Sequence, residues 1–166
     1  SGISNLGADV TTSSTQTYTG AVTLSGGDRT LQGSTINFGN TLTGTASHDL
    51  IITGALNLDG AATNIVDLSV STTSDLGANV TTSGDQTYTG AVTLSGGDRT
   101  LQGSTVNFVS TVTGTTAESD DLTITGILNL DGAITDINDL YVSGTSDLGA
   151  NITTTGTQEY NNNVTL

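Results

Sequence analysis

The residues best suited to chemistry are aspartates that recur at fixed spacing. Asp28, Asp49, Asp98 and Asp121 each stand three residues before an apolar residue, Leu31, Ile52, Leu101 and Ile124 in turn. If those apolar residues stack in one column, Asp28 lies over Asp49 and Asp98 over Asp121, one strand spacing of about 4.8 Å apart. Carboxylates at that distance repel. A hard cation such as calcium, held by the pair together with carbonyl oxygens, relieves the repulsion. The four aspartates are therefore candidate metal ligands. The simpler reading makes each one a turn residue that accepts a hydrogen bond from its own turn backbone, with Arg29 and Arg99 compensating nearby. The GGxGxDxUx repeat of calcium-binding β-rolls is absent, since Gly26-Gly27-Asp28-Arg29 lacks its third glycine.

Other side chains offer weaker chemistry. Thr17/Thr19, Thr41/Thr43, Thr87/Thr89 and Thr111/Thr113 suggest an outward double threonine row of the ice-binding kind, broken where Asp67, Ser69, Asp139 and Tyr141 fall. Threonine in a strand is also explained by β-propensity alone. Asn37, Asn57, Asn107 and Asn129 alternate with apolar neighbours and should point outward, either as an amide ladder between stacked strands or as a sugar-binding face. A sugar site usually adds an exposed aromatic platform, for which Tyr141 and Tyr160 are the candidates. His48, the one histidine, sits in a segment that differs between repeats, and no set of residues separates the environments of two carboxylates as acid–base catalysis requires. The chain is read as a non-enzyme. The sequons at Asn79, Asn151 and Asn163 matter only in a glycosylating host.

What must position these residues follows from composition and repetition. The 166 residues carry 2 basic and 16 acidic side chains, a net charge of −14, with no Cys, Pro, Met or Trp. Disulfides, thiolate metal sites and cysteine nucleophiles are excluded. Such acidity disfavours nucleic acid and anionic membrane surfaces, and no apolar run approaches the ~20 residues of a membrane-spanning helix. Hydrophobic residues are only 33%, yet the wealth of Val, Ile and Thr speaks for strands rather than disorder.

The segment Gln16 to Thr35 recurs unchanged at Gln86 to Thr105, and the motif beginning at Ser4 returns at Ser74 and Ser146. Two repeats, 4–73 and 74–145, are followed by a partial third, 146–166. The second gains two residues between Gly114 and Asp121, which marks a loop. Within each repeat, short pieces alternate apolar and polar residues, as in Tyr18 to Leu24 and Ile52 to Leu58, and no helical period appears. Three strands per coil and three coils per repeat give a triangular parallel β-solenoid of about 23 residues per coil and about seven coils. Its columns run through Val10, Ile36, Leu56 and Val80, and through Leu31, Ile52, Leu76 and Leu101. A second division, into shorter units ending at Leu24, Phe38, Leu58 and Leu76, has uneven spacing, and an antiparallel β-sandwich is the alternative fold. Neither end shows a polar cap. An excerpt of a longer array, or end-to-end self-association, is expected.

The segments TYTGAVTLSGGDRTLQGSTVNF and ITGILNLDG resemble the Thr/Gly/Asn-rich repeats of large secreted bacterial surface proteins, the filamentous-haemagglutinin and autotransporter-passenger class of adhesins. That resemblance implies a right-handed β-helix outside the cell, serving as stalk or adhesive filament. Its implied partners are neighbouring repeats and host-surface or matrix glycans.

Overall fold

Strand alternation this regular buries one face of every strand, and a chain with little apolar content can cover those faces only by sharing them between neighbours. The computed structural model describes residues 2–45, 47–115 and 120–166. Among them every strand pairing is parallel, and the strands form one continuous sheet wound into a solenoid of about 8 turns. The antiparallel sandwich is therefore excluded.

Each coil has three sides. On the first face Val22 pairs with Leu42, Leu42 with Ala62 and Ala62 with Val80, steps of 20, 20 and 18 residues. Further along, Val80 pairs with Leu101 and Leu101 with Ile124. The second face stacks Leu31, Ile52, Val70 and Tyr88, and the third stacks Gln16, Ile36, Leu56, Ser74 and Val92. The coil is thus nearer 20 residues than 23. The expected columns hold where Leu31 meets Ile52 and Leu101 meets Ile124, and they fail where Val10 was set under Ile36 and Ile52 under Leu76. The cause is local. The strands Arg29–Phe38 and Leu50–Leu58 each bend across a corner and supply two sides without an intervening loop. Arg99–Phe108 and Leu122–Leu130 do the same in the second repeat, and elsewhere two to four residues join successive strands, except between Leu42–Thr43 and Leu50–Leu58 and between Val112–Gly114 and Leu122–Leu130.

The bends explain two glycines. Gly54 has φ 142°, and a Cβ there would lie 2.0 Å from the carbonyl oxygen of Gly33 on the adjacent coil; Gly126 repeats this against Gly103, with φ 143°. Only glycine lets the backbones of two stacked corners come so close.

Coil lengths have a further result. Between Ser4–Leu6 on the first face and Ser74–Leu76 on the third lie eleven sides, three whole coils and two sides of a fourth. The same holds between Ser74–Leu76 and Ser146–Leu148 on the second face. Identical sequence therefore occupies different faces: Val22 is on the first and Val92 on the third.

The interior is a single apolar column from Val22 to Val142, with most members fully buried. Tyr18 stacks on Phe38 at 5.4 Å between ring centres, and Tyr88 on Phe108 at 5.5 Å. Hydrogen bonds between coils run along the axis through the corners as well as the strands, as in Leu42 N–H to Ala61 O (2.9 Å) and Gly77 N–H to Leu58 O (2.8 Å).

Candidate functional site

The corner that opens the strand Arg29–Phe38 carries the residues of greatest chemical interest. Gly26 and Gly27 adopt positive φ of 76° and 131°, which turns the chain so that Asp28 faces out and Arg29 faces in. The Arg29 guanidinium donates to the carbonyls of Leu6 (3.0 Å) and Gly7 (2.8 Å) on the preceding coil, and to those of Ser25 and Asp28 in its own turn. Arg99 does the same for Leu76 (2.7 Å), Ser95 and Asp98. Both arginines are 7% exposed. Burial pulls the Arg99 guanidinium below its ordinary range, while the carboxylates of Asp120, Asp98 and Asp75 hold it up. The two basic residues of the chain are corner staples, unavailable to an anionic ligand.

Asp28 lies over Asp49 and Asp98 over Asp121, as their spacing predicts. The stacked aspartates make a hydrogen-bonded ladder. Asp28 Oδ1 accepts from the Asp49 N–H (3.1 Å), Asp49 Oδ1 from Asp67 (3.2 Å) and Asp67 Oδ1 from Asp85 (2.6 Å). In the second repeat Asp98 Oδ1 accepts from the Asp121 N–H (3.2 Å), Asp121 Oδ1 from Asp139 (3.1 Å) and Asp139 Oδ1 from Thr157. Each carboxylate thus caps the backbone of the next coil, where the turn reading placed the bond in its own turn. Asp67, Asp85 and Asp139 escape the sequence argument because the coils beneath them are 18 residues long. Among the described residues no three Asp, Glu or His side chains gather into a set able to hold a metal ion.

The variable corner differs between repeats. His48 Nδ1 lies 3.9 Å from Asp28 Oδ1. At the corresponding place Asp120 is 1% exposed, and its Oδ2 accepts from the Thr115 N–H (2.8 Å) and hydroxyl (3.2 Å). Residues 116–119, in the segment that gains two residues, fall outside the described residues.

The asparagines do point outward in register, Asn37 beside Asn57 and Asn107 beside Asn129. Asn129 Nδ2 donates to Asn107 Oδ1 (2.9 Å) and Asn107 Nδ2 to Thr87 Oγ1 (3.3 Å), which is an amide ladder. A shallow groove of about 480 Å³ runs beside it, lined by Thr87, Asn107, Asn129 and Asp147 with Val109 and Asp131. Tyr141 lies on another face and its hydroxyl accepts from Asn161 Nδ2 (2.6 Å), so it offers the groove no platform. Tyr160 is half-buried and donates to Gln158. The double threonine row does not form, because Thr19, Thr41, Thr89 and Thr111 lie in turns. Single rows form instead: Thr23, Thr43 and Thr63 on the first face, and Thr93, Thr113 and Thr135 on the third.

One polar unit was not anticipated. Gln86 is fully buried; its amide donates to the carbonyls of Val80 (3.3 Å) and Gln102 (2.7 Å), and its Oε1 accepts from Tyr88 (3.0 Å). Gln16 and Tyr18 make the same unit. The signal lay in the alternation, since Gln86 and Tyr88 share the inward phase of Gln-Thr-Tyr. Burial pushes the Tyr88 phenol far above its ordinary value of 10.0.

No family model matches the chain, and searches of curated proteins and of solved structures give no match.

Proposed function

We propose that this chain is a structural and interaction segment of an extracellular bacterial filament, stalk or adhesin, whose work is mechanical. The observation that carries the reading is the unbroken parallel stack: hydrogen bonds point along the long axis on all three faces, so each added coil adds length and stiffness. The acidic, threonine-rich exterior supports a secreted or cell-surface setting by limiting lateral sticking. Neighbouring repeats of the same protein, or copies stacked end to end, are the proposed partners, since each coil pairs its strands with the coil on either side. Pulling the ends apart by single-molecule force spectroscopy tests this. Release in steps of about one coil, roughly 65 Å of extended chain for ~20 residues, is the expected trace; loss of all structure without a resolvable force overturns the reading.

A ligand-binding module is the second reading, favoured by the amide-lined groove over Asn107 and Asn129 and by the aspartate ladder. Uncharged host-surface or matrix glycans suit the groove; for calcium the candidates are the stacked pairs Asp28 with Asp49 and Asp98 with Asp121, which would need carbonyl oxygens to complete the coordination. A glycan array without a binder removes the first. A melting temperature unmoved by calcium or chelator removes the second.

A further inference from the structure

We infer that the repeat turns its own surface pattern around the solenoid axis, so that an array of it presents each outward row on all three faces in succession. The reason is the eleven-sided repeat. Eleven is not a multiple of three, and each copy begins one face away from the last. Both intact repeats obey this although the second is two residues longer, because the gain lies in the sequence between the strands Val112–Gly114 and Leu122–Leu130 and the count of described sides stays eleven.

The consequence is visible on the third face. There the polar row that begins in the first repeat, Thr17, Asn37 and Asn57, passes through Asp75 at the start of the second repeat directly into that repeat's threonine row, Thr93, Thr113 and Thr135. The next copy of the polar row, Thr87, Asn107 and Asn129 of the second repeat with Asp147 of the partial third, has moved to the second face. A row therefore persists for about four coils, then gives way. It returns to its own face after three repeats, which is eleven coils or roughly 53 Å at ~4.8 Å per coil.

Two effects follow. Bulk is averaged around the axis: the Tyr18–Phe38 stack joins sides of the third face and the Tyr88–Phe108 stack sides of the second, so aromatic volume does not build up along one side and bend the rod. Recognition is confined as well. A flat lattice, or a second rod lying alongside, loses its complementary row after four coils. The partner that fits is an uncharged, hydrogen-bonding molecule whose footprint stays within one polar row, one molecule per repeat, arrayed around the rod. This rests on the interaction reading proposed above and specifies its geometry.

The chain has no cysteine, so paired spin labels test the rotation directly. Asn37→Cys with Thr113→Cys places labels on one face four coils apart, about 19 Å along the axis, while Asn37→Cys with Asn107→Cys places them at equivalent positions roughly 18 Å apart along the axis but across a corner. Electron–electron distance measurement should find the equivalent pair farther apart. If the equivalent pair is the closer one, the repeat is a whole number of coils and the inference falls. A disulfide check keeps the result readable if labels disturb packing: Asp75→Cys should oxidise onto Asn57→Cys, which precedes it on the third face, and not onto Thr63→Cys on the first. The opposite pattern overturns the rotation while leaving the load-bearing reading, measured by pulling, untouched.

Discussion

Gln16-Thr17-Tyr18 and Gln86-Thr87-Tyr88 belong to the same unbroken identity of sequence, yet they live in different surroundings. Both make the glutamine–tyrosine unit, and both tyrosines stack on a phenylalanine of the coil above. Tyr88 also has Leu68, Ser69 and Val70 beneath it, and is fully buried. Tyr18 lies in the first coil and remains half-exposed; burial raises its phenol too, but without the enclosure of Tyr88. In a solenoid, then, a residue's energetic weight is set by the coils above and below it as much as by its own sequence.

The largest way to break this comparison is truncation of the rings. Tyr88→Ala should cost about 3–5 kcal/mol, the range for deleting a buried aromatic, and Tyr18→Ala distinctly less; urea unfolding of the two variants reads the difference. Equal losses would show that the lower coil contributes nothing.

The arginine staples come next. Arg99→Ala strands the carbonyls of Leu76, Ser95 and Asp98 and removes the cation near buried Asp120, so a loss of about 3 kcal/mol is expected. Arg29→Ala, with His48 in place of that acid, should lose less. Trypsin gives a second measure of the same corners. With no lysine and both arginines buried, the folded chain should resist digestion, whereas the unfolded chain should yield three pieces, cut after Arg29 and Arg99.

Alkaline titration sharpens the comparison further. A phenol whose folded pKa is raised favours the neutral form, so its stabilisation is complete below about pH 10 and is lost as pH rises beyond it. Thermal melts between pH 9 and 12 should fall steeply for the native chain and less steeply for Tyr88→Phe. The smallest effect concerns Ser74 and Ser146, whose buried hydroxyls lack partners among the described residues and sit at inward positions. Ser74→Ala should raise stability by about 1 kcal/mol, read as a higher melting temperature.

Much of the fold was legible because alternation and near-perfect repetition leave few ways to bury one face of so many short strands. The stacking of Asp28 on Asp49 and of Asp98 on Asp121 was legible for the same reason. The coil length was not. It depends on whether Arg29–Phe38 and Leu50–Leu58 each count as one side or two, and a bend at Gly54 that turns on a close approach to Gly33 of the neighbouring coil leaves no mark in a linear pattern. With the coil misjudged, Val10 was placed under Ile36 instead of Leu31, and the aspartate ladder appeared as isolated pairs where it continues through Asp67 and Asp139.

By itself, then, the sequence determined the material: a repeated, acidic, cysteine-free strand former with two arginines, whose inward and outward residues are set by an alternation of period two. Tertiary structure decided the winding. How many sides fit in one repeat is fixed by contacts between coils, and from that count follow the face on which each copy lands, the partner each aspartate caps and the depth at which each tyrosine is buried.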